Sequence, residues 1–152
     1  SEVTLVDINP AKEVLARELG CSFATAENAP KECDVVIHTS ATNEGLSLAL
    51  KLAGVGASVV EASWFGDAEV RLGLGGAFHS KRLKLVSSQV GSISPERSAR
   101  WSNQRRLGKA LELLNDPILD ALISGESSFM DLPANYAQIL TDPNTLCHRV
   151  RY

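Results

Sequence analysis

The chain has 152 residues, 44% hydrophobic, 22% charged and 5% aromatic, with a formal net charge of −3. That is enough for one sizeable core, while the charge implies no polyanion partner and the few rings offer little stacking surface for single-stranded nucleic acid. The longest mainly apolar stretch, Leu46 to Val60, is too short and interrupted to span a membrane, and SEVTLVDINP has neither the basic nor the apolar region of a secretory leader.

Val3-Thr4-Leu5-Val6, ending at Asp7, predicts a buried strand. Only Ser1 and Glu2 precede it, so we expect that a segment upstream has been removed. Asn9 is placed to cap a helix with Pro10 at its favoured first position. Ala11, Val14, Leu15 and Leu19 form the apolar stripe of that helix, and Gly20 stops it. A short strand is expected around Ser22 to Thr25, followed by a polar loop to Cys33. Val35-Val36-Ile37-His38 predicts a second central strand. Thr39-Ser40-Ala41-Thr42 then turns into a helix carrying Leu46, Leu48, Ala49, Leu50, Leu52 and Ala53, closed by Gly54-Val55-Gly56. Ser58 to Ala62 is the next strand, Ser63 to Phe78 is Gly-rich and irregular, and Leu83 to Ser88 is a further strand. Ser94-Pro95-Glu96 predicts a helix start, with Leu107, Ala110, Leu111 and Leu114 on one face and Asn115-Asp116-Pro117 at its end. Ile118 to Ile123 is a short apolar segment, Leu132-Pro133 opens a helix to about Leu140, and Cys147 to Tyr152 reads as a terminal strand. Strands alternating with helices, in apolar runs too continuous for one-sided burial, predict an α/β protein with a parallel sheet covered by helices on both faces.

Asp7 is the sharpest single feature. A carboxylate at the C-terminal end of a parallel strand accepts two hydrogen bonds from a ribose diol. A helix-capping or loop aspartate has the same appearance, and methyltransferases use an acidic residue in a similar way. Thr39-Ser40-Ala41, Ala62-Ser63-Trp64 and Ser88-Gln89 end the other strands, where open α/β sheets bind ligands. Small residues there let backbone amides approach a flat ligand; ordinary loop chemistry gives the same composition. Cys21, Cys33, Cys147, His38, His79 and His148 show no metal-ligand spacing and are assigned no zinc site. Three scattered cysteines describe no disulfide framework and point to a reducing cytoplasm. The basic residues from His79 to Lys84, and Arg97, Arg100, Arg105, Arg106 and Lys109, read as solvated faces rather than a nucleic-acid contact.

VTLVDINPAKEVLARELG, DVVIHTSATNEGLSLALKLAGVGASVVEASWFG and the tail ALELLNDPILDALISGESSFMDLPANYAQIL before HRVRY together resemble the zinc-type medium-chain dehydrogenase family in order and spacing. The resemblance covers nearly the whole chain. It implies a Rossmann-like parallel sheet lacking the family's first strand. Residues 1–115 would form an incomplete NAD(P)-binding domain, and 116–152 a segment that packs with a missing catalytic domain. It implies NAD over NADP, because Asp7 would repel a 2′-phosphate. Ile8 would pack on adenine and Lys12 reach the ribose. Thr39, Ser40 and Ala41 would line the adenosine and ribose path, while Ala62, Ser63, Trp64, Ser88 and Gln89 flank the nicotinamide. Arg149 matches a position that often reaches the pyrophosphate; a solvated strand-end arginine is the equal alternative. The parent enzyme would transfer hydride between an alcohol and a carbonyl, with a small-molecule substrate and a zinc ion held outside this segment. Two family features are absent. No GxGxxG turn is present, and Gly73-Leu74-Gly75-Gly76 is no substitute because no strand precedes it. The zinc ligands are absent too.

In the family order 3-2-1-4-5-6, losing the first strand leaves a slot of about 10 Å flanked by unpaired backbone. We expect it to be closed, giving the flavodoxin-like order 2-1-3-4-5, or filled by another chain. Strand 83–88 would lie at the sheet edge and pair two copies into a homodimer. A self-contained flavodoxin-like binding module and a different Rossmann-like enzyme, such as a methyltransferase, are the rival readings.

Overall fold

A computed structural model describes residues 2–152. The elements run β1 (Thr4–Val6), α1 (Lys12–Glu18), β2 (Ser22–Ala24), β3 (Cys33–His38), α2 (Asn43–Leu52), β4 (Ala53–Glu61), α3 (Ala77–Ser80) and β5 (Lys84–Ser87). They continue with α4 (Asn103–Leu114), a 3-10 helix (Pro117–Leu122), β6 (Ile123–Ser128), α5 (Leu132–Thr141) and β7 (Cys147–Arg151). The fold is Rossmann-like α/β: β3, β4 and β5 form a parallel sheet in that order, β6 and β7 a parallel pair, and β1 and β2 a third pair.

The chain divides into two compact units. The first holds residues 1–5, 9–23 and 104–152; the second holds residues 6–8 and 24–103. The core lies in the second. Leu46, Ala49 and Leu50 of α2 pack with Ala53, Ala57 and Val59 of β4 and with Leu83, and Val36 of β3 joins them. Partners across a parallel ladder share a face, so Val36 and Val59 mark the buried face of the sheet. The opposite face carries Val35, Ile37 and Val86, all exposed.

The base of β4 is held by three contacts. Lys81 Nζ bonds Glu32 Oε1 (2.5 Å) and the Ala53 carbonyl (2.9 Å), and Gly56 N–H donates to the Lys81 carbonyl (2.7 Å). Gly54 is required there, since a Cβ would stand 3.0 Å from the Glu32 carbonyl carbon and oxygen. Gly56 takes φ +75°, which suits glycine. Those two glycines therefore lie inside β4, not in a loop closing α2 as their composition suggests.

In the first unit α1 begins at Lys12 with Ala11 as its N-cap, two residues after the cap expected at Asn9, which instead closes the preceding turn: its Oδ1 accepts from Ala11 N–H (3.0 Å) and its carbonyl from Lys12 N–H (3.1 Å). Ala16 is buried there. The helix expected from Ser94 begins instead at Asn103. Ser98 hydroxyl donates to the Pro95 carbonyl (2.8 Å), and its amide reaches the same turn, so residues 94–100 close into turns. β6 has no strand signature in Ile-Ser-Gly-Glu-Ser-Ser; pairing with β7 makes it a strand.

The closure expected around a missing strand is not observed. β1 and β3 belong to separate hydrogen-bonded sheets, so the order 2-1-3-4-5 does not form.

Candidate functional site

The C-terminal ends of β3, β4 and β5 stand side by side, with His38 opposite Glu61 and Glu61 opposite Ser87. The residues that follow are the expected strand tips. Thr39, Ser40, Ala41, Ala62, Trp64, Ser88 and Gln89 are exposed and Ser63 is half-buried. Ala62 N–H donates to the His38 carbonyl (2.9 Å) and Ser88 N–H to the Glu61 carbonyl (2.8 Å), extending the ladder by one rung on each side. Asp7 and Ile8 belong to the same unit. Asp7 N–H donates to the Ala24 carbonyl (3.3 Å), and Ile8 is 92% exposed. Lys12 begins α1, half-buried, in the other unit. Arg149 is also in that unit, on β7, where Nη2 and Nε bond Glu126 Oε2 at 2.5 and 2.6 Å.

Beneath the tips lies a polar network that residue-by-residue reading passed over. His38 is 5% exposed. Its Nδ1 is 2.6 Å from Glu61 Oε2, and its Nε2 is 2.8 Å from Ser40 Oγ. Ser40 Oγ lies 3.0 Å from Thr42 Oγ1, which also accepts from Gly45 N–H (3.1 Å) as the N-cap of α2. The Ser63 hydroxyl and amide both donate to Glu61 Oε1, the amide at 2.8 Å, and Ser63 Oγ accepts from Ala41 N–H (3.1 Å). The Phe65 ring stacks on His38 with centroids 6.0 Å apart. Among the described residues no buried side-chain polar atom lacks a partner.

The charges are set by this arrangement. Burial pushes the Glu61 carboxyl up, but the hydrogen bonds from Ser63 and His38 outweigh it, and the group titrates below its ordinary value. An ionised Glu61 accepts from Nδ1–H, and in the neutral ring that tautomer leaves the Nε2 lone pair facing the Ser40 hydroxyl. Ala41 has φ +50°, a conformation that costs a non-glycine residue about 1 kcal/mol or more. Gly45 is fixed by its neighbours: a Cβ there would meet Ser40 Oγ at 2.3 Å, His38 Nε2 at 2.7 Å and Thr42 Oγ1 at 2.8 Å.

The signal in the sequence was positional. His38 and Glu61 each end a strand, and each is followed two residues later by a serine, Ser40 and Ser63. Among the described residues no cluster of His, Cys, Asp or Glu could hold a metal ion, and no helix is long and apolar enough to cross a membrane. Cys21, Cys33 and Cys147 are free thiols.

No family model and no curated protein matches the chain. Solved structures do. L-idonate 5-dehydrogenase from Escherichia coli superposes with a TM-score of 0.77 at 16% identity, over 100% of this chain and 43% of its own. A short chain alcohol dehydrogenase from Escherichia coli complexed with NADH gives 0.71 at 15%, over 97% of this chain and 43% of its own. Galactitol-1-phosphate dehydrogenase from Escherichia coli gives 0.70 at 22%, over 93% and 44%. The chain has the fold of these dehydrogenases and spans less than half their length.

Proposed function

We propose that the chain is the cofactor-binding part of an NAD-linked oxidoreductase acting on an alcohol–carbonyl pair. The observation that carries the reading is the row of small-residue tips on β3, β4 and β5, in a fold shared with an NADH-bound dehydrogenase. The tips fit such a cofactor. Thr39, Ser40, Ala41, Ala62 and Ser88 leave backbone accessible, and the exposed Ile8 and Trp64 offer apolar surface to flat rings. Asp7 accepts the ribose diol and disfavours a 2′-phosphate, with Ile8 against adenine. Thr39 to Ala41 line the adenosine, and Ala62 to Trp64 with Ser88 and Gln89 orient the nicotinamide. When bound, nicotinamide supplies or accepts hydride; the protein's part is to orient it and exclude water. Zinc, in this reading, is held by residues outside this segment, and the enzyme works in the cytoplasm as a dimer paired along β5.

Titration calorimetry tests this. The chain should bind NAD with Kd on the order of 1 mM, weak because no glycine-rich turn cradles the phosphates. Asp7→Ala should weaken NAD and narrow its advantage over NADP. The chain alone should not oxidise alcohols. Binding of S-adenosylmethionine with none of NAD would overturn the reading.

A further inference from the structure

Ser40, His38 and Glu61 form a chain of nucleophile, base and orienting carboxylate, of which only Ser40 also borders the cofactor path proposed above. The two links measure 2.8 Å from Ser40 Oγ to His38 Nε2 and 2.6 Å from His38 Nδ1 to Glu61 Oε2. These are the separations at which a serine hydroxyl can pass its proton to an imidazole held in the right tautomer by a carboxylate. We propose that Ser40 is a nucleophile for acyl transfer from activated carboxylic esters, with His38 as its general base and Glu61 as the positioning residue.

Three further observations fit a reacting site better than a purely structural one. First, the accessibility is graded. His38 is buried, the Glu61 side chain is 16% accessible, and Ser40 is exposed as a residue, with its Oγ turned to His38 Nε2 and Thr42 Oγ1. A dry base paired on both nitrogens holds one orientation. Second, Ala41, directly after Ser40, has φ +50°, and its N–H donates to Ser63 Oγ. Third, Ser40 Oγ lies 3.0 Å from the N-cap hydroxyl of the ten-residue helix α2, whose positive end favours an oxyanion formed on the ester carbonyl.

The chemistry balances without another reactant besides water. Ser40 Oγ forms a bond to the ester carbonyl carbon, and its proton moves to His38 Nε2. The tetrahedral intermediate collapses, the bond to the leaving oxygen breaks, and that oxygen departs as the alcohol with the His38 proton. Water then gives a proton to Nε2 and its oxygen to the acyl carbon. The Ser40–acyl bond breaks, the serine regains the proton, and a carboxylic acid is released.

The test uses the 152-residue chain, p-nitrophenyl acetate and a fluorophosphonate probe. The expected results are a burst of one nitrophenolate per chain and one fluorophosphonate adduct mapped by mass spectrometry to Ser40. Ser40→Ala should abolish both. Glu61→Gln should slow acylation about 100-fold or more, because the base loses its orienting charge. The proposal is overturned if the folded chain takes no label, if the label maps elsewhere, or if Ser40→Ala keeps the burst. Acylation by a folded Glu61→Gln chain at the unchanged rate also overturns it. Circular dichroism should show Ser40→Ala folded, and the mapping of the fluorophosphonate label on the unsubstituted chain decides the matter even if either variant unfolds.

Discussion

β3–β4 and β6–β7 are built alike and behave differently. Both are parallel pairs whose register shifts near the start, between Cys33 and Val35 in one and between Ile123 and Gly125 in the other. Each sets a carboxylate against a basic partner across the ladder: Glu61 with His38, and Glu126 with Arg149 and Arg151. The surroundings differ. His38 is buried with Gly45 of α2 and the Phe65 ring against it, whereas β6 and β7 alternate between exposed and half-buried residues. The lesson is that a carboxylate–base contact is a fixed, directional device under a packed helix and a solvated, exchangeable contact on an open ladder.

The comparison breaks most visibly at the packing itself. Leu50→Ala, in the core beneath the strand tips, should cost about 2–5 kcal/mol in chemical denaturation, whereas Leu111→Ala on the exposed face of α4 should stay within about 0.5 kcal/mol. Equal losses would mean that α4 is covered in solution. Next in size is Gly45→Ala, which drives a methyl group into Ser40 and His38 and should cost about 1–3 kcal/mol. In the His38 NMR spectrum the ring should also leave its bond to Ser40; an unchanged Nε2 shift would show that the helix start has room.

Acid titration sharpens the contrast. The Glu61 carboxyl titrates below its ordinary value of 4.5 in the folded state. Its pairing therefore contributes in full above that pH and is lost as pH falls through the lower folded value. Glu61→Gln should flatten the fall of thermal stability below pH 4.5, measured by Tm at low and moderate salt alike. The bonds from Arg151 and Arg149 also hold Glu126 below its ordinary value, so its contribution disappears in the same direction. Glu126→Gln should give the smallest effect of the series, one that added salt erases because the pair is solvated. A salt-resistant loss would show that β6–β7 is covered in solution.

The alternation of elements was legible because β3, α2 and β4 carry strong, continuous apolar signals, and they hold the core. The strand tips followed from the same pattern. β6 was not legible because Gly125 and three serines carry no strand preference, and only its partner makes it one. The Ser94 start misled because Ser98 bonds back to Pro95. The His38 network stayed hidden for another reason. His38 and Glu61 are 23 residues apart, and only the β3–β4 register sets them face to face. Asp7 follows β1 directly and Arg149 lies in the middle of β7, and the partner of Arg149, Glu126, lay on the strand that had no signature.

The latch at the base of β4 gives Lys81 an unusual reactivity among the surface amines. At 24% exposure, with Nζ shared between a carboxylate and a backbone carbonyl, it should acetylate more slowly than the exposed Lys51 and Lys84 when the chain meets an acylating reagent. Once modified it can no longer carry the charge that joins Glu32 to Ala53. The order in which lysines react thus reports whether the lower rim of the sheet is shut.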